Sequence, residues 1–169
     1  VVSATQEGDG PVVSVAMARL AVASAPTKLR TLLGSCVGVI LHDRGARVGG
    51  IAHVVLPDSR GETEFPGKYA DTAIPALLAE LRKLHPPARP MAKLIGGASM
   101  FGTASRTGPQ PSSLAIGQSN GDAAEAILAR LGIIVIARDL GGEAGRRVTL
   151  DLTTGIVSVC VPGGEAYDV

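Results

Sequence analysis

A thiol and an imidazole seventeen positions apart, Cys36 and His53, are the pairing in this 169-residue chain that offers a nucleophile together with a base. A free cysteine is mostly protonated at neutral pH, and an adjacent imidazole supplies the thiolate that attacks a carbonyl carbon. Cys36 follows Gly34 and Ser35 at the head of the apolar run CVGVILH, where a tight turn exposes a nucleophile and aims amide groups at one spot. His53 interrupts GGIAHVVLP, in which Ile51, Ala52, Val54 and Val55 have the character of core. The same residues also have plainer uses. Free cysteine packs as a small hydrophobe, and a single strand histidine is usually a hydrogen-bonded core or surface residue. Spacing by itself leaves both readings open.

The remaining chemistry-bearing residues are weaker candidates. Cys160, in IVSVCV, has no nearby histidine and reads as structural, while His42 and His85 follow the ends of a strand and a helix and read as solvated boundary residues. Two cysteines without CxxC spacing or a histidine cluster argue against a zinc site or a disulfide framework, and a reducing cytoplasm fits that usage. Gly96-Gly97 and Gly141-Gly142 build neither GxGxxG nor GxxxxGK[ST], so they are expected to serve positive φ or close packing rather than phosphate.

The elements that must position Cys36 and His53 are legible as short β-rich runs punctuated by Gly and Pro. A first strand is expected over Val12–Leu20, followed by a loop, then strands over Leu29–Leu33, Cys36–His42 and Ala46–Leu56. Asp43-Arg44-Gly45 predicts a hairpin between the last two, which brings Cys36 toward His53. Ala73, Leu77, Leu78, Leu81 and Leu84 recur at helical spacing, so a helix is predicted over Lys68–Leu84, with Pro75 in its first turns or at a kink. A buried strand in MAKLIGGASMF and a polar loop over Gly102–Ser113 follow. A second helix is predicted to start near Asn120, acting as its cap, and to stop at Gly132. Strands over Ile133–Arg138, Arg146–Leu152 and Ile156–Val161 close the chain, the last two as a hairpin through Thr-Thr-Gly. The expected fold class is α/β of the α+β kind, with two main helices on a mixed sheet or strand sandwich.

Composition sets the limits. The length predicts one domain, at 12–162, with a flexible N-terminal tail at 1–11 and a C-terminal tail at 163–169. Sixteen Lys and Arg against fifteen Asp and Glu leave a formal charge of +1, and two Phe, two Tyr and no Trp leave no stacking platform, so nucleic acid is not an expected partner. No apolar stretch is long enough for a membrane-spanning helix, and the first residues lack the features of a secretory signal.

Six segments in order, LGSCVGVILHD, VGGIAHVVLPDS, GKYADTAI, AKLIGGASMF, IGQSN and GRRVTLDLTTGIVSV, resemble the motifs of the CheD family, the chemoreceptor glutamine deamidases of bacterial and archaeal chemotaxis. The resemblance spans about Val12 to Val161. It implies a cytoplasmic enzyme, similar in fold to the deamidase domain of cytotoxic necrotizing factor toxins, that hydrolyses glutamine side chains of methyl-accepting receptors and needs no cofactor. It also implies a CheC-type phosphatase as a partner beside the receptors. The family's nucleophile falls on Cys36 and its histidine on His53, with the oxyanion turn at Gly34 and Ser35. The family's threonine, which orients the histidine, lies six residues before the cysteine; Arg30 occupies that position here and Thr31, its neighbour, belongs to the opposite strand face in a regular strand, so the candidates for the role are Thr31, brought round by a bulge, or a backbone carbonyl. IGQSN carries Ser119 where the family has Arg, and GTASRTGPQPSS before it is expected to be a mobile surface loop. The loops after Leu56, Ala98 and Asn120 are the expected recognition surfaces. A non-catalytic adaptor that binds the phosphatase or the receptors is the competing reading, and a thiol-dependent esterase acting on receptor methyl esters is a third.

Overall fold

The computed structural model describes residues 10–62, 64–99 and 113–169. Ten strands form two five-stranded sheets, and two helices cover one of them, an α+β architecture as expected. One sheet runs in the order β1 (Val12–Ser14), β3 (Lys28–Leu33), β8 (Arg146–Asp151), β9 (Val157–Cys160), β10 (Ala166–Asp168). The other runs β2 (Leu20–Ser24), β5 (Val48–Val54), β4 (Val37–Asp43), β6 (Met91–Gly96), β7 (Val135–Leu140).

Two apolar layers hold this arrangement. Leu29, Leu33, Ile40, Ile51, Ile95, Val148 and Leu150 fill the space between the sheets. On the opposite face of the second sheet, Val39, Ala52 and Leu94 pack against Ile74, Leu77 and Leu81 of α1 (Ala70–Leu84) and Ala124 and Leu128 of α2 (Ser113–Arg130). The central strands β4 and β5 are therefore covered on both faces, which is why their sequences run as continuous apolar stretches rather than alternating. Their hairpin pairs Gly38 with His53 and Val37 with Val54, turning where Asp43 was expected to turn it. Pro75 lies inside α1.

Four sequence expectations are corrected. The first strand is two: β1 lies in one sheet and β2 in the other, and the chain crosses between them over 15–19 with Ala18 at a φ of 59°. The second helix begins at Ser113, so Asn120 is a buried mid-helix residue rather than a cap. Gly117 and Gly121, which look like breakers, are small enough to let α2 approach the sheet: a Cβ at Gly117 would sit 2.4 Å from the Gly97 carbonyl oxygen. His42 is 8% exposed rather than solvated, because Gly155 in the β8–β9 turn lies over its ring and the Leu152 carbonyl is 3.4 Å from Nε2. Residues 163–169, expected as a tail, carry β10, with Ala166 paired to Cys160. The expected N-terminal tail lies almost wholly, and the expected mobile loop over 102–113 apart from its last residue, outside the described residues.

Candidate active site

Cys36 and His53 lie on one face of the second sheet, the face turned toward the first. Gly38 pairs with His53, so Cys36, two residues earlier, is its diagonal neighbour, a separation that long or aromatic side chains span. Both are buried, at 7% and 3% exposure, and Cys36 belongs to the core between the sheets. Among the described residues Nε2 of His53 has no hydrogen-bond partner.

The third residue comes from the opposing sheet. Alternation along β3 turns Leu29, Thr31 and Leu33 inward, whereas Arg30 faces outward and its Nε donates to Thr149 Oγ1 at 3.3 Å. Thr31 Oγ1 lies 2.8 Å from Nδ1 of His53 and donates its own proton to the Val15 carbonyl at 2.8 Å. A hydroxyl whose proton is committed in this way can only accept from the imidazole. Nδ1 therefore carries the ring proton and Nε2 presents its lone pair. The crossing segment also clamps the histidine backbone: Ala18 N donates to the His53 carbonyl, and His53 N donates to the Arg19 carbonyl at 2.9 Å.

The turn holding the thiol is fixed from behind. Gly97 N donates to the Cys36 carbonyl at 2.8 Å and Ala98 N to the Gly34 carbonyl at 2.9 Å. Gly96 has a φ of +113°, and a Cβ there would meet the Cys36 carbonyl oxygen at 2.4 Å, so only glycine permits this approach. Arg146, itself buried, reaches from β8 across to the carbonyls of Gly96, Asp139 and Gly141. With the Gly34 and Cys36 carbonyls engaged, the amides of Ser35 and Cys36 have no acceptor among the described residues. They are donors available to an oxyanion beside the thiol.

Burial acts on both titrating groups. It pushes the Cys36 thiol up and the His53 imidazole down, so neutral thiol beside neutral imidazole is the favoured resting pair. The arrangement suits a base that removes the thiol proton as the thiol attacks, rather than a stored thiolate. Among the described residues, no group of three or more His, Cys, Asp or Glu is placed to hold a metal ion.

The family model described as CheD chemotactic sensory transduction matches residues 55–160. A probable chemoreceptor glutamine deamidase CheD of Methanococcus maripaludis is 45% identical over 150 residues, covering 88% of this chain and 94% of that protein. The chain belongs to the CheD family. Another relative, the chemoreceptor glutamine deamidase CheD of Thermotoga maritima, is 40% identical over 158 residues, covering 92% of this chain and 96% of its own. A probable CheD deamidase of Desulforamulus reducens is 42% identical over 154 residues, covering 87% and 89%. Matches of this extent leave too few residues outside to exclude Thr31, Cys36 or His53. All three therefore lie in the part this chain shares with its CheD relatives.

Sequence reasoning singled out Thr31 but not the contact that commits its proton. Its acceptor is the main-chain carbonyl of Val15, on a crossing segment that reads as uninterrupted strand. Asn120, read as a helix cap, is a tether instead: its Nδ2 donates to the Val55 carbonyl at 2.9 Å, tying α2 to the end of the strand that carries His53. A polar residue preceded by Gly117 and followed by Gly121 looks like a helix start, and that signal concealed a buried position.

Proposed function

We propose that this protein is a cysteine-dependent protein-glutamine deamidase acting on methyl-accepting chemoreceptors in the cytoplasm. The observation that carries the reading is the committed Thr31 hydroxyl, which leaves the Nε2 lone pair of His53 on the face it shares with Cys36. The names of the CheD relatives supply the substrate.

In this mechanism His53 Nε2 takes the thiol proton as Cys36 Sγ attacks the carboxamide carbon of a receptor glutamine. The oxyanion is received by the amides of Ser35 and Cys36, and one well-placed donor of this kind is worth about 3 kcal/mol of barrier. The imidazolium, held by Thr31, gives its proton to the departing nitrogen, and ammonia leaves a thioester on Cys36. Neutral His53 then activates water, which hydrolyses the thioester to glutamate and restores the thiol. Proton transfer by a positioned group contributes about 10²- to 10⁴-fold.

The test is peptide mass spectrometry of a receptor cytoplasmic fragment incubated with the wild-type protein, with ammonia assayed in parallel. A gain of about 1 Da at defined glutamines with equimolar ammonia is expected from amide hydrolysis. A fragment that binds but stays unmodified contradicts the enzyme and favours an adaptor for receptors or a CheC-type phosphatase. Loss of receptor methyl esters with glutamines intact favours the esterase.

A further inference from the structure

One opening in the described structure is remote from Cys36. It lies where the two sheets part at the other end of β4, six residues along the strand, or about 20 Å at the rise of an extended chain. This cleft of about 590 Å³ is bounded by the β8–β9 turn on one side and by β4, β6 and β7 on the other. Two features set its lining apart. Met91, Ile136 and Ile156 are large apolar side chains left 42%, 49% and 44% exposed, and all three line it. Isolated exposed hydrophobes are ordinary, whereas several converging on one concavity mark an interaction site.

The second feature is positive charge, left without an acidic partner among the described residues at Arg44 and Arg47. Arg44, Arg47 and Lys93 line the cleft and no carboxylate does. Lys93 is already engaged: it donates to the Gly155 carbonyl and to a main-chain oxygen of Val169, the last residue, and lies within reach of the Asp168 charge. Arg44 and Arg47 have no acidic partner among the described residues. Asp43, in the same turn, is turned to the backbone, accepting from Ala46 N at 3.0 Å and Arg89 N at 2.7 Å. Arg47 also holds a φ of 54°, a left-handed conformation that glycine adopts freely and that strains a residue with a side chain. The hydroxyl residues Thr153 and Thr154 complete the rim.

We propose that this cleft is a docking site for an acidic peptide segment of a partner protein, its carboxylates paired with Arg44 and Arg47 and one apolar side chain seated against Met91, Ile136 and Ile156. Paired arginines suit carboxylate recognition because each guanidinium presents a planar fork of donors, and an apolar anchor at the centre supplies affinity. The site is independent of the chemistry at Cys36.

Fluorescence anisotropy with a short labelled peptide of glutamates around one central leucine tests it. Binding that weakens with added salt is expected, with at least a tenfold loss in Arg47→Gly, roughly one lost charge-assisted pair. Arg47→Gly removes the side chain at a backbone position glycine prefers, so its melting temperature should equal or exceed that of the wild type. Arg60→Gly, the same change at another left-handed arginine (φ 50°) that does not line the cleft, should bind as the wild type does. Cys36→Ala should bind unchanged, which separates this site from the deamidase reading. The proposal is overturned if the peptide does not bind, or if a lysine-for-glutamate peptide binds as well. Unaltered binding by Arg47→Gly, or binding of octanoate at the cleft with no binding of the peptide, overturns it too.

Discussion

At the residue scale, the proposed mechanism turns on one hydroxyl. Thr31 Oγ1 fixes the tautomer of His53 because the Val15 carbonyl holds its proton. Thr31→Val keeps the shape and removes the acceptor, so kcat should fall about ten- to a hundredfold with KM little changed, and Thr31→Ser should recover most of the loss. Wild-type turnover in Thr31→Val would remove the threonine from the mechanism. The pH behaviour follows from burial. The His53 imidazole is held below its ordinary 6.5, so the acid limb of kcat/KM should lie below that value. The Cys36 thiol is held above its ordinary 9.0, so its alkylation by iodoacetamide should still be accelerating at pH 9.0. A plateau reached by about pH 8 would instead indicate a preformed thiolate. Cys36 and His53 could be singled out in the sequence because a thiol heads one apolar run and an imidazole interrupts another, and the structure places both on one face of one sheet. The inward turn of Thr31 was not legible, since it depends on which face of β3 meets the other sheet.

At the element scale, the strands with simple alternation or sharp turns were readable, and the elements shaped by contact were not. The Asp43 turn and the β8–β9 hairpin appear where the turn residues put them. The crossing at 15–19 was invisible because Val12–Leu20 alternates only loosely and holds no Gly or Pro to mark a break, and only the partners available in each sheet decide where the chain changes sides. The start of α2 was misplaced for the opposite reason: Gly117 and Gly121 are unfavourable for an isolated helix and favourable for one pressed onto the sheet. That contact gives a prediction. Gly117→Ala should drive α2 away from Gly97, whose amide holds the Cys36 carbonyl, destabilising the fold by about 1–3 kcal/mol and lowering kcat as well. Urea unfolding and steady-state turnover on the same sample check both, and an unchanged midpoint would show that the helix is not tightly seated.

At the scale of the whole molecule, the run of strands and helices indicated the α+β class, while the pairing of the ten described strands into two sheets lay beyond it, because strand order rests on long-range contacts that no local pattern encodes. The sandwich buries His42 at one end and His53 at the other, and burial lowers both pKa values below 6.5. The unfolded chain therefore binds protons that the folded one does not. Stability is full above pH 6.5 and falls as the pH drops through 6.5 toward the folded-state values. Urea unfolding at pH 8, 6.5 and 5 should show that decline, and a rise toward pH 5 would contradict it. The central claim, that Cys36 is the attacking group, is tested most directly by comparing Cys36→Ala with Cys160→Ala in mass-spectrometric assays of receptor-fragment deamidation. No modified glutamine is expected with Cys36→Ala and wild-type extent with Cys160→Ala; deamidation that persists in a folded Cys36→Ala protein would rule Cys36 out as the attacking group.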